Sequence, residues 1–197
     1  MEVFMYKYIK RIIDFLLSFL ILVIFSPIWL ILVLVVALDS RGPIFFTQKR
    51  IGRGKKFFQI YKFRTMRIDT PRDMPTHMLK NPEQYITRAG RFLRKTSLDE
   101  IPQLINILRG EMSVVGPRPA LWNQDDLVAE RDKYSANALT PGLTGWAQIN
   151  GRDELPIPLK AKLDGEYAAK MGFFFDVKIV WLTVAKVFRG EGIDGVR

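Results

Sequence analysis

FLLSFLILVIFSPIWLILVLVVAL, residues 15–38, runs from Asp14 to Asp39 without a single charge. An uncharged apolar run of 18 residues or more is a candidate for burial in a bilayer. How this run is read decides whether the chain is soluble or membrane-bound. A cleaved signal peptide fits poorly, because the apolar core is too long and no small-residue cleavage site follows Ala37. A straight helix at about 1.5 Å per residue would cross a hydrocarbon core of about 30 Å. Two features oppose that. Ser26-Pro27 falls in the middle of the run, and proline removes a helical hydrogen bond and clashes with the preceding turn. The flanks are basic on both sides: Lys7, Lys10 and Arg11 before the run, then Arg41, Lys49, Arg50, Arg53, Lys55 and Lys56 after it. Positive residues favour the cytoplasmic side, so both ends prefer to stay there. A helix bent at Ser26-Pro27 meets both constraints, since each arm of about a dozen residues, roughly 18 Å, is too short to cross. A re-entrant segment over residues 1–39, followed by a membrane-associated domain over residues 40–197, is the expected organisation.

The rest of the composition narrows the chemistry. The 197 residues carry 30 Lys and Arg against 20 Asp and Glu, a net charge of +10, which points to an anionic partner. There is no cysteine, so disulfides, thiol catalysis and thiolate metal sites are excluded. The single histidine, His77, lies in the proline-rich stretch 69–83, which reads as a loop. A metal here would take oxygen ligands, which suits Mg²⁺.

Beyond residue 40 the pattern is mixed α/β and helix-rich. PIFFTQ and FFQIYKF, on either side of the turn IGRGKK, predict a small hairpin or sheet. Helices are expected over 84–95, with Ile86, Ala89, Phe92 and Leu93 on one face, over about 99–109, over 121–136, and from about Leu159. The stretch 139–152 reads as turns. FFFDVKIVWLTVAKVFRG, residues 173–190, spaces Phe174, Val177, Trp181, Val184 and Phe188 as one helical stripe. Such a stripe either packs in a core or lies on a lipid surface.

KTSLDEIPQL, residues 95–104, places Asp99 beside Glu100 among Arg88, Arg91, Arg94, Lys95, Arg109 and Arg118. An ordinary explanation is a capping box, with Ser97 and Glu100 closing a helix start. That leaves Asp99 and the six cations without a role. In the functional reading, one carboxylate attacks phosphorus and its neighbour holds Mg²⁺, while arginines clamp the remaining oxygens. Arg118, between Pro117 and Pro119, is a pre-ordered clamp. Lys62 and Arg64 alternate on one strand face, and Arg152 lies among glycine and asparagine turns where a nucleotide could bind.

SPIWL, KFRTM, RKTSLDEIPQLINILRGEMSVVGPRP and PGLTGWAQINGR, in that order, resemble the small monotopic bacterial phosphoglycosyl transferases, the bacterial sugar transferases. The resemblance runs from about Tyr6 to Arg189. It implies transfer of a sugar-1-phosphate from a UDP-sugar to polyprenyl (undecaprenyl) phosphate, with release of UMP. It also implies a cytoplasmic-face enzyme of the bacterial inner membrane, bound to phospholipid and acting in surface glycan assembly. Asp99 matches the family nucleophile, Glu100 the Mg²⁺ ligand, and Arg94, Arg118 and Arg152 phosphate- or nucleotide-binding positions; Lys62 is a looser match. Ser26-Pro27 matches the membrane bend. Glu111 stands where many members have Asp, and the segment 69–87 has no counterpart. Larger relatives carry preceding membrane helices, so the chain reads as a minimal catalytic unit; a homo-oligomer is compatible with it. Two rivals stay open: a Mg²⁺-dependent lipid diphosphate phosphatase, and a basic membrane scaffold. No nucleic-acid-binding motif appears.

Overall fold

The computed structural model describes residues 2–71, 79, 81–151 and 154–189. Its architecture is helix-rich with two small sheets.

Helices α1 (Glu2–Ile24) and α2 (Ser26–Asp39) meet at Phe25 with a bend of 69°. Pro27 stands in the first turn of α2, where its missing N–H is tolerated but a straight continuation from α1 is not. Backbone bonds persist on both sides, from Phe25 N to Ile21 O and from Trp29 N to Phe25 O. The Ser26 hydroxyl makes no hydrogen bond among the described residues, so the bend follows from proline geometry rather than from serine. No single described helix is long and apolar enough to cross a membrane; the bent pair is apolar enough only when taken together.

The inner faces of this pair are part of the core. Leu32 and Val36 of α2 pack with Phe63 and Leu93, and Leu22 of α1 joins the cluster of Ile60, Leu104, Ile107 and Met112. Each fully buried side chain among them contributes about 1.5–3 kcal/mol, and the partly buried Leu22 less. The outer faces carry Leu16, Phe19, Leu20, Ile24, Leu30, Ile31, Leu34 and Leu38, all exposed.

Polar contacts stitch α1 to the rest of the chain. Arg11 donates to the carbonyls of Ile107 and Leu108, which lie in the last turn of α4 (Gln103–Arg109), where the Ile107 carbonyl also accepts from the Gly110 amide. Asp14 accepts from the Ser113 hydroxyl at 2.6 Å and from the Val114 amide at 3.2 Å. Asp176 accepts from Tyr6, Lys10 and Tyr167.

Strands β1 (Phe45–Ile51) and β2 (Phe57–Phe63) form the expected hairpin, in register from Phe45 opposite Phe63 to Ile51 opposite Phe57. Its turn uses left-handed Gly54 and Lys55. β4 (Ala120–Leu121) pairs with the other edge of β1, giving the order β2-β1-β4. That pairing takes Leu121 out of the helix expected over 121–136, and α5 spans only Asp125–Asp132.

The turn-rich stretch 139–152 also holds regular structure. β5 (Gly142–Thr144) runs parallel to β3 (Ser113–Val115), and α6 (Trp146–Ile149) follows it. A Cβ at Gly142 would come within 2.1 Å of the Gly116 nitrogen, so this pairing depends on glycine there. Only the distant partner strand makes the segment a strand, which local patterning does not report.

The remaining helices are α3 (Arg88–Lys95), α7 (Ile157–Lys170) and α8 (Phe173–Arg189). On α3, Leu93 is buried as expected, whereas Phe92 is exposed. On α8 the apolar stripe faces outward: Phe174, Trp181 and Phe188 are 85%, 70% and 87% exposed. The core is served instead by Ile179 and Asp176 on the opposite side. The core-packing reading of the stripe is thereby excluded. The loop expected over 69–83 lies mostly outside the described residues, as does His77.

Candidate active site

Asp99 and Glu100 lie in a single turn of 3-10 helix, Leu98–Glu100, set between α3 and α4. The capping box does not form. Ser97 is left-handed, with φ 57°, and makes no capping bond, and α4 starts only after Pro102. Glu100 is released from helix closure and turns to two cations. The Lys62 nitrogen lies 2.7 Å from its Oε1, and Arg118 approaches the same oxygen at 3.6 Å. All three side chains are largely buried, where charges interact more strongly than in water. Asp99 is itself buried, at 8% exposure.

Lys62 reaches Glu100 from the end of β2. Arg118 does so from the loop between β3 and β4, which is tied down at several points. Arg50 donates to the Pro119 carbonyl at 3.1 Å, Arg131 to the Arg118 carbonyl at 2.9 Å, and Gly142 to the Pro117 carbonyl at 2.9 Å. Arg131 is held by buried Asp164 through its Nε at 2.8 Å. Burial pushes the Asp164 carboxyl above its ordinary value, and the Arg131 charge opposes the rise.

The structure thus brings Lys62, Glu100 and Arg118 together beside Asp99. Arg94, in the last turn of α3, donates to the Thr65 hydroxyl at 3.0 Å. Arg64 points elsewhere. β2 ends at Phe63, so the strand alternation with Lys62 stops there. Arg64 is buried and donates to the Ser40 and Arg41 carbonyls, closing the end of α2. The side chain read as substrate-binding is thus engaged at the end of α2 and is not among the groups that meet at Glu100. Arg152 lies outside the described residues.

Three residues escaped the sequence reading. Arg50 and Gln103 line a narrow cleft with Ile60, Lys62, Arg118, Pro119 and Gly142. Gln48, on the same strand face as Arg50, accepts from it at 2.6 Å. A signal for Arg50 and Gln48 existed, because β1 alternation places them on the face that β2 shares with Lys62. Gln103 was hidden inside what reads as an ordinary helix start.

No group of three or more His, Cys, Asp or Glu able to hold a metal occurs among the described residues. The donors are carboxylate oxygens, and a site this sparse fits Mg²⁺ that brings phosphate and water oxygens of its own.

A paired carboxylate turn under a lysine and a braced arginine is an arrangement suited to phosphoryl chemistry on an anionic substrate. Comparison with known proteins identifies which kind. Residues 5–190 match the family model described as bacterial sugar transferase. The chain is 43% identical over 186 residues to EpsL of Bacillus subtilis (strain 168), an uncharacterized sugar transferase, across 94% of this chain and 90% of that protein. It is 40% identical over 195 residues to the UDP-glucose:undecaprenyl-phosphate glucose-1-phosphate transferase of Escherichia coli (strain K12), covering 92% of this chain but 40% of that protein. It is 33% identical over 195 residues to the UDP-N-acetylgalactosamine-undecaprenyl-phosphate N-acetylgalactosaminephosphotransferase of Aeromonas hydrophila, covering 95% of this chain and 45% of that protein. The chain spans less than half the length of these last two relatives. It belongs to the bacterial sugar transferase family and is an enzyme, a phosphoglycosyl transferase. The scaffold reading is set aside.

Proposed function

We propose that this enzyme transfers a sugar-1-phosphate from a UDP-sugar to polyprenyl phosphate at the cytoplasmic face of the bacterial inner membrane, as the first membrane step of surface glycan assembly. The observation that carries the reading is the position of Glu100, held between Lys62 and Arg118 next to buried Asp99. The names of the Escherichia and Aeromonas relatives support the substrate classes.

In the first step a carboxylate oxygen of Asp99 attacks the phosphorus that bears the sugar. The bond from that phosphorus to the bridging oxygen breaks, and UMP leaves with the electron pair. In the second step a phosphate oxygen of the polyprenyl phosphate attacks the same phosphorus. The acyl-phosphate bond breaks, Asp99 is restored, and a polyprenyl-diphosphate sugar is formed. Lys62 and Arg118 stabilise the phosphoryl oxygens in both steps, and Arg94 and Arg152 are assigned to phosphate or nucleotide binding. Glu100 would hold Mg²⁺, which supplies charge neutralisation at the diphosphate.

Residues 1–39 form a re-entrant anchor bent at Ser26-Pro27, and residues 40–197 form the catalytic domain at headgroup depth. Support comes from the 69° bend and from the outward apolar faces of α1, α2 and α8. Aromatic side chains such as Trp181 suit the interface. The net charge of +10 favours anionic phospholipid and the anionic donor alike.

UMP release from a panel of UDP-sugars, with and without undecaprenyl phosphate, tests the reading. It predicts lipid-linked sugar and UMP in equal amounts. A phosphatase would yield inorganic phosphate and no lipid-linked sugar.

A further inference from the structure

The cleft beside Glu100 contains a polar group that the steps above leave unused. Gln103 is 2% exposed and lines the cleft together with Arg50, Lys62 and Arg118. Its amide nitrogen is buried and finds no acceptor among the described residues. A buried donor without an acceptor is unfavourable, and folded proteins rarely keep one without a use for it.

The cleft indicates the kind of acceptor that is missing. Its lining holds three cationic side chains and no carboxylate, with Ile60, Pro119 and Gly142 supplying apolar and backbone surface. Two of those cations, Lys62 and Arg118, already meet at Glu100. An anion with several acceptor oxygens matches this set. An amide adds a directed donor without adding charge, which complements a lysine and an arginine that act mainly through charge. Gln103 opens α4, whose Leu104 and Ile107 are fixed in the core, so its backbone is already ordered.

We propose that Gln103 is a substrate-binding residue whose side-chain amide donates a hydrogen bond to a diphosphate oxygen of the nucleotide sugar, in the cleft it shares with Arg50, Lys62 and Arg118. The proposal rests on the phosphoglycosyl-transfer reading and adds a neutral donor to its cationic clamp.

The experiment measures UDP affinity by calorimetry, and the thermal midpoint, for the full chain in lipid nanodiscs with Mg²⁺. The unmodified protein is compared with Gln103→Met and with the isostere Gln103→Glu. Gln103→Met is expected to weaken UDP binding about tenfold. Its midpoint without UDP stays level or rises, because an apolar side chain of similar shape removes the unmatched donor. Gln103→Glu is expected to weaken UDP binding further, by repulsion. Unchanged UDP affinity in both variants overturns the assignment. So does a lowered midpoint with unchanged affinity, the signature of a packing role. If the unmodified protein itself fails to bind UDP, the uridine-nucleotide reading falls and the Gln103 assignment falls with it. UDP binding by the unmodified protein with the same affinity in both variants removes Gln103 alone.

Discussion

The ammonium nitrogen of Lys62 lies 2.7 Å from Oε1 of Glu100, although 38 residues separate them in the chain. Arg118 shares the same oxygen at 3.6 Å, from a third element. One carboxylate oxygen therefore joins the hairpin, the 3-10 turn and the proline-flanked loop. Lys62→Met should leave the protein folded and lower kcat/KM for the UDP-sugar by roughly 100-fold, the usual loss for one stabilising donor at a phosphoryl or acyl site. UMP release over a range of donor concentrations measures it. Activity near that of the unmodified enzyme would place the reacting phosphate elsewhere.

Asp99→Asn keeps the size of a buried side chain but removes the nucleophile. Turnover should fall by roughly 10⁴-fold or more, with membrane binding retained. Incubation of the unmodified enzyme with radiolabelled donor, in the absence of polyprenyl phosphate, should yield a labelled peptide containing position 99. Absence of that adduct while product accumulates in the full reaction argues for direct transfer instead.

Glu100→Gln removes the charge on which Lys62 and Arg118 converge. The Mg²⁺ concentration for half-maximal rate should rise by about tenfold or more, read from a metal titration at saturating donor. An unchanged titration curve would remove Glu100 as the metal ligand.

Asp164 and Arg131 form a buried ion pair behind the Arg118 loop, with N···O at 2.7 Å. Asp164→Asn leaves a buried guanidinium without its counter-charge, at a cost of about 3 kcal/mol in stability. The double variant Arg131→Met/Asp164→Leu should recover most of that stability, since an apolar pair of similar volume replaces both charges. Activity should not recover with it, because the Arg118 carbonyl has lost its donor. Thermal melts and UMP release on the same samples separate the two effects.

Pro27→Ala restores an amide donor in the first turn of α2 and favours a straight helix. The chain has no cysteine, so Met5→Cys provides a single thiol on α1. An impermeant thiol reagent added to the periplasmic side should label it in the Pro27→Ala background and not with Pro27 intact. Equal protection in both shows that packing of α2 against Phe63 and Leu93 holds the bend without proline.

How much of this was legible in advance depends on the range of the interaction. The bend at Ser26-Pro27, the hairpin and the α8 stripe are carried by proline chemistry, turn residues and side-chain period, all of which act within a few residues. The SLDE turn was legible as a carboxylate pair among cations but not in its geometry. Its capping box is internally consistent and fails only because Ser97 is left-handed and Glu100 finds Lys62 and Arg118.

Local chemistry in the chain determined that it carries a bent apolar segment, a carboxylate pair among cations, and a family signature from one end to the other. Tertiary structure decided which cations meet Glu100. It directed Arg64 to the end of α2 rather than to the site, and it drew Arg50, Gln103 and the Arg131–Asp164 pair around the Arg118 loop. Those pairings join residues tens of positions apart, and their energies arise only once packing has excluded water and brought the charges within a few ångströms.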